Sequence, residues 1–184
     1  MILKKITPIL FLAMSIASCS ILKAQNSVNL SLHQDMKLLI WGDELGNRAG
    51  TLNYNFRLKH ETQDKKYGYF MYGLEFEQAL LDDIYTRYGA FGGFSFMEVL
   101  DDYNFHVTPS IGAGIINRTG KNLFSLSASL QFEYFLGDRF RLSVLNQITQ
   151  RTDLEYLYDD LKYRYSFFIG FEYTLFELKR KRRP

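Results

Sequence analysis

The run FSLSASLQFEY, residues 124–134, alternates without a break. Phe124, Leu126, Ala128, Leu130, Phe132 and Tyr134 share one parity, and Ser125, Ser127, Ser129, Gln131 and Glu133 share the other. A period of two sends successive side chains to opposite faces of a strand, whereas a helix needs a repeat near 3.6. The signature recurs along the chain. Residues 28–40 set Val28, Leu30, Leu32, Met36, Leu38 and Ile40 against Asn29, Ser31, His33, Asp35 and Lys37. Residues 51–60 set Leu52, Tyr54, Phe56 and Leu58 against Asn53, Asn55, Arg57 and Lys59. Residues 67–79 oppose Phe70, Tyr72, Leu74 and Phe76 to Met71, Gly73, Glu75 and Glu77. Residues 84–96 oppose Ile84, Tyr88, Ala90, Phe94 and Phe96 to Arg87, Gly89, Gly93 and Ser95.

The pattern continues in residues 104–116, with Phe105, Val107, Ile111, Ala113 and Ile115 against His106, Thr108, Ser110, Gly112 and Gly114. After the run quoted first, Phe140, Leu142, Val144 and Ile148 oppose Arg141, Ser143, Gln147 and Thr149. The last segment, 162–175, sets Tyr163, Tyr165, Phe167, Ile169, Phe171 and Tyr173 against Arg164, Ser166, Gly170 and Glu172. That makes eight segments, joined by connectors at 42–50, 61–66, 80–83, 97–104, 117–122, 136–139 and 151–161 that are rich in Gly, Asp and Asn. Each connector is short enough for a hairpin, so the strands run antiparallel in sequence order, and such a meander closes into an up-and-down barrel.

Whether the apolar face points in or out decides the class of protein. Turned inward, it would make a secreted, lipocalin-like binder of apolar ligands. Three features turn it outward. The polar face is rich in small residues such as Ser110, Gly112, Gly114, Ser125 and Ser127, which suit the narrow lumen of an eight-stranded barrel. The apolar face carries more Phe and Tyr than one small cavity holds, but they fit a lipid-facing surface with aromatic girdles. A strand of about thirteen residues, tilted about 40°, rises about 33 Å, enough to cross the apolar layer. The reading is therefore an all-β protein, an eight-stranded antiparallel up-and-down transmembrane β-barrel.

The polar face must then fill the lumen. Lys37, Arg57, Lys59, Arg87, Arg141 and Arg164 meet Asp35, Glu75, Glu77, Glu133 and Glu172 there. Buried charges at this density require pairing, which predicts a cross-barrel salt-bridge network and a plugged bore. The alternative use of the same lumen is a narrow pore for small solutes.

The two ends of the chain change the picture of where it goes. Residues 1–24 hold Lys4 and Lys5, then an apolar stretch from Ile6 to Ile16, then a small-residue cleavage site at Ala24, the layout of a secretory signal peptide. Cys19, the single cysteine, sits in IASC, which resembles a lipoprotein lipobox, but the competing KAQ site favours its removal with the signal. Losing Lys4, Lys5 and Lys23 leaves the remainder with one more acid than base, and KRKRR at 179–183 concentrates its positive charge in a tail spanning 177–184. That leaves 25–176 as the barrel domain, without the charge pattern of a nucleic-acid binder.

With these residues in view, the chain resembles the small eight-stranded outer-membrane β-barrel proteins of Gram-negative bacteria, the OmpA/OmpX/OmpW-like group, and the KAQ ending looks like those of Bacteroidota. The resemblance rests on pattern and strand count along the whole chain. It implies an outer-membrane location, contact with outer-membrane lipid and the assembly machinery, a monomer, both termini in the periplasm, and connectors 42–50, 80–83, 117–122 and 151–161 outside. One departure is the C-terminus: such barrels end in an aromatic residue, whereas here Phe176 is followed by ELKRKRRP.

Candidate chemistry is sparse. His33 and Asp35 share a face, as an acid–base pair would, and so do His106 and Thr108, but both pairs point into the lumen and lack an orienting third group. No metal-ligand spacing appears, and the Gly-rich stretches 89–94 and 112–114 lie inside strands, where they ease curvature or make room for Phe91. No enzyme, cofactor or metal is expected. The basic tail suits anionic headgroups, and Trp41 suits an interfacial anchor.

Overall fold

The structure, a computed structural model, describes residues 27–42, 47–62, 67–80, 84–158 and 163–177. The expected signal peptide, Cys19 and the tail beyond Glu177 lie outside the described residues. Eight strands follow the chain: β1 (Ser27–Asp35), β2 (Asn53–Glu61), β3 (Gly68–Ala79), β4 (Tyr85–Phe96), β5 (Phe105–Arg118), β6 (Lys121–Phe135), β7 (Phe140–Gln150) and β8 (Tyr163–Glu177). They form a closed barrel in sequence order. β1 closes it against β8, antiparallel, with Ser27 opposite Glu177 and Asp35 opposite Phe168. Closure leaves no unpaired strand edge, the condition for a sheet in hydrocarbon. Both ends of the described chain lie at one end of the barrel, here the terminal end, with residues 62 and 67 and connectors 97–104 and 136–139. The connectors at the opposite, far end carry two short helices.

The faces sort as the alternation requires. In β6, Ser125, Gln131 and Glu133 are buried, while Phe124, Leu126 and Leu130 are exposed on the outside. The exterior repeats this around the barrel, with Leu74, Ile111, Ile148 and Phe171 all at least half exposed. An apolar belt of this extent suits lipid, because water would leave it uncompensated. The lumen is polar, so the lipocalin-like arrangement is not the one adopted.

A few apolar groups do face inward, and one is built into its surroundings. Phe91 on β4 lies opposite Gly73 of β3 and Gly112 of β5. A Cβ at Gly73 would sit 3.0 Å from the Phe91 ring and 2.2 Å from the Leu58 carbonyl oxygen, so only glycine leaves the ring its place.

Three local features differ from the strand reading. The first segment does not run to Ile40: β1 stops at Asp35, and Met36–Ile40 forms a helical turn, α1. Asp35 caps it, its carboxylate accepting from the backbone N–H of Lys37 (3.0 Å) and Leu38 (3.3 Å). Gly42 closes it at φ +74°, where a Cβ would come within 2.1 Å of the Asn47 carbonyl oxygen. Leu38, assigned by parity to the lipid face, is fully buried as a result. The connector after β7 contains a second helix, α2 (Thr152–Tyr158). The connector between β5 and β6 shrinks to Thr119 and Gly120, both at positive φ (50° and 75°), the geometry of a tight hairpin turn that matches strand twist.

Candidate functional site

The charged lumen is arranged in layers set by strand register. Nearest the terminal end, two bases meet three acids. The Lys59 ammonium lies 2.5 Å from Glu133, 2.9 Å from Glu172 and 3.1 Å from Glu61. Its three protons therefore face three carboxylates, with none left over. Arg141 grips both oxygens of Glu61, at 2.6 and 3.0 Å, and reaches Glu172 at 3.0 Å. Glu61 also accepts from Ser27 (2.6 Å) and from the Tyr69 hydroxyl (3.2 Å). The oxygens of Glu61, Glu133 and Glu172 come within 4.8 Å of one another, the spacing of a metal site. Lys59 already occupies it as an internal cation.

The next layer inverts the balance. Glu75 lies between two arginines, bonded to Arg57 at 2.9 Å and to Arg87 through its other oxygen. Arg87 donates further to Ser125 (3.2 Å) and Ser127 (3.1 Å), and the Arg57 guanidinium lies 4.5 Å over the Phe91 ring. One layer carries a surplus acid and the next a surplus base, so together they are neutral. Burial of such groups is tolerable because the charges are mutually compensated and hydrogen-bonded.

Toward the far end, Asn53 bridges Glu77 (3.0 Å) and Asp35 (3.3 Å), and Tyr85 donates to Glu77 at 3.4 Å. Arg164 stands 3.7 Å from Asp35. Above them Arg151 holds Asp153 at the start of α2 through two bonds of 2.7 Å, and Arg118 adds a third at 3.3 Å. The Arg151 guanidinium stacks 4.3 Å over the Tyr85 ring, joining this latch to the lumen below. Burial opposes the Asp153 charge, but the bonds and charge of Arg151 and Arg118 outweigh it and hold the carboxyl below its ordinary pKa. Arg151 is held above its ordinary value by its bonds to Asp153 in spite of its own burial.

Of the residues singled out by sequence, Arg57, Lys59, Glu75, Arg87, Glu133, Arg141 and Glu172 come together in the first two layers, and Asp35, Glu77 and Arg164 lie above them. Lys37 does not join them. It is half-buried on α1 and makes none of the lumen ion pairs among the described residues, because the strand carrying it ends two residues earlier. Glu61, Arg118, Arg151 and Asp153 were assigned to connectors and missed. The first three continue the inward parity of their strands by one or two steps, a signal available in the sequence. Asp153 sits on α2, which the alternation does not reveal.

The two histidine pairs do not form. Residues two apart on a strand are separated by about 6.6 Å, too far for a direct bond between short side chains. His33 bonds instead to Ser143 across the lumen at 3.0 Å, and Asp35 caps α1. His106 meets the Tyr69 hydroxyl at 3.2 Å, while Thr108 donates to Ser95 at 2.9 Å.

No family model matches the chain, and no curated protein matches it. Solved structures do. Ail of Yersinia pestis, an outer membrane protein determined in a phospholipid bilayer nanodisc, is 14% identical and superposes over 83% of this chain and 100% of its own, with a TM-score of 0.52. Ail in complex with the heparin analogue sucrose octasulfate gives 12% identity over 84% of this chain and 100% of that one, at a TM-score of 0.51. Neisserial surface protein A is 10% identical over 82% of this chain and 96% of its own, at 0.46. The shared property is the fold: this chain is an eight-stranded barrel of the outer-membrane type.

Proposed function

We propose that this outer-membrane barrel is a closed, non-enzymatic scaffold that serves membrane integrity or presents its ends to a partner, and does not pass solutes. The observation that carries this reading is the run of ion pairs crossing the lumen, from Arg141 and Lys59 through Glu75 to the Arg151–Asp153 latch beneath α2. An eight-stranded bore is only wide enough to be filled by side chains, and here long charged ones fill it. The histidines that suggested acid–base chemistry are engaged in lumen packing, where a lipid substrate has no access. Periplasmic termini and a monomeric state follow from the resemblance to small outer-membrane barrels. Polyanion binding of the kind seen with Ail finds little support, because the far-end connectors at 42–50, 80–83, 117–122 and 151–161 together carry eight Asp and Glu against four Lys and Arg, although 117–122 itself is basic.

Planar-bilayer recording on the refolded full chain tests closure. The account predicts a flat baseline in molar salt. Reproducible unit conductance steps would replace the scaffold with the narrow-pore reading.

A further inference from the structure

The terminal mouth of the barrel holds a cavity of about 180 Å³ lined by Ser27, Glu61, Thr62, Tyr69, His106, Phe135, Asp138, Arg141, Thr174 and Glu177. Its carboxylates outnumber its bases. Glu61 is compensated by Arg141 and Lys59 within two lumen layers that are neutral in sum. Asp138 and Glu177 add two more charges at the rim, with no ion pair to either among the described residues. Arg139, lining the adjoining depression with them, offsets one. A low-dielectric wall with this net sign focuses a negative potential into the opening.

A second observation points to a ligand independently of the acids. Thr174 is 5% exposed, faces inward from β8 and lines the cavity, yet its hydroxyl has no hydrogen-bond partner. Buried polar atoms are rarely left unsatisfied, and those that are call for an occupant. The wall opposite is aromatic. Tyr69 and Phe135 flank His106, and the Phe135 ring already carries the Arg141 guanidinium at 4.1 Å. Aromatic faces beside carboxylates are the surroundings that bind organic cations.

We infer that this cavity is a receptor for an alkylammonium or guanidinium group, seated between Asp138 and Glu177, with Thr174 as acceptor. The inference is independent of whether the lumen conducts. Such a cation has two sources: a free polyamine or basic side chain from outside, or the chain's own basic run Lys179–Arg183, which begins two residues after the rim residue Glu177.

The test is calorimetric titration of spermidine into the refolded full chain in detergent, into a variant with Lys179, Arg180, Lys181, Arg182 and Arg183 each replaced by Gln, and into Asp138→Asn/Glu177→Gln in both backgrounds. Boiled and unboiled gel mobility confirms that each variant is a closed barrel. Saturable binding weakened at least about ten-fold by the double substitution, a loss of about 1.4 kcal/mol, is the expected result. If the chain with the neutralised tail binds about ten-fold more tightly than the unaltered one, the basic run is the resident cation. If the two bind alike, the cation comes from outside. Absence of saturable binding in both backgrounds, or binding indifferent to the double substitution, overturns the site.

Discussion

The two faces of β2 are made by the same nine residues and are held by different physics. Outward, Tyr54, Phe56 and Leu58 make no specific bond that a similar apolar residue would lose, and what the position demands is transferability to hydrocarbon. Inward, Asn53, Arg57, Lys59 and Glu61 each meet named partners on other strands, some across the full width of the bore. The exterior therefore specifies a class of residue and the interior specifies individual residues. A substitution outside is judged by depth in the membrane, and a substitution inside by the charge it strands.

The largest break in this contrast is Lys59→Ala. It leaves Glu61, Glu133 and Glu172 around Arg141 alone, and removing one partner of a buried pair costs about 3–5 kcal/mol. Urea unfolding in detergent should show that loss, and a Lys59→Met variant of similar length should show nearly the same, because charge and not volume is missing. Leu74→Arg, placed mid-strand on the outside, is expected to cost about 2–4 kcal/mol in bilayers, falling toward about 0–1 for an equivalent change near a rim. Depth dependence is the readout: a uniform cost along β3 would place the exterior in water.

Smaller effects sharpen the picture at the far end. Asp153→Asn should cost less stability than Lys59→Ala, because the latch lies beyond the strand ends, but raise the rate of limited proteolysis at the α2 connector, since Arg151 and Arg118 lose their common carboxylate. Asp153 has a depressed folded pKa, so its contribution is complete above the unfolded value of about 4 and is lost as pH falls through the lower folded value. The proteolysis difference between wild type and Asp153→Asn should hold from neutral pH down to about 4 and shrink progressively as the pH falls further toward the lower folded value. Least of all, Leu126→Ile on the outside should change the unfolding free energy by no more than about 0.5 kcal/mol.

Much of the architecture was legible because the barrel imposes one rule, parity, on every strand. Parity alone assigns Arg57, Lys59, Glu75, Arg87, Glu133, Arg141 and Glu172 to one compartment. It could not say which of them touch. Lys59 and Glu133 are 74 residues apart and meet only because of the stagger between strands on opposite walls, a property of barrel closure and not of local sequence. Parity also misled where a helix happened to match it. Met36, Leu38 and Ile40 fit a period of two, and a helix of five residues is too short to display 3.6. The signals that mark it, Asp35 before it and Gly42 after it, are punctuation and not pattern. At the strand ends, Glu61, Arg118 and Arg151 were lost to boundaries drawn one or two residues short.

The central claim is that this apolar exterior faces lipid around a closed barrel, and it is tested most directly by gel mobility of the protein from carbonate-washed outer membranes, with and without boiling. The account predicts a membrane-retained band that needs detergent for extraction and changes mobility on boiling. A protein released into the soluble fraction, running identically in both lanes, would contradict it.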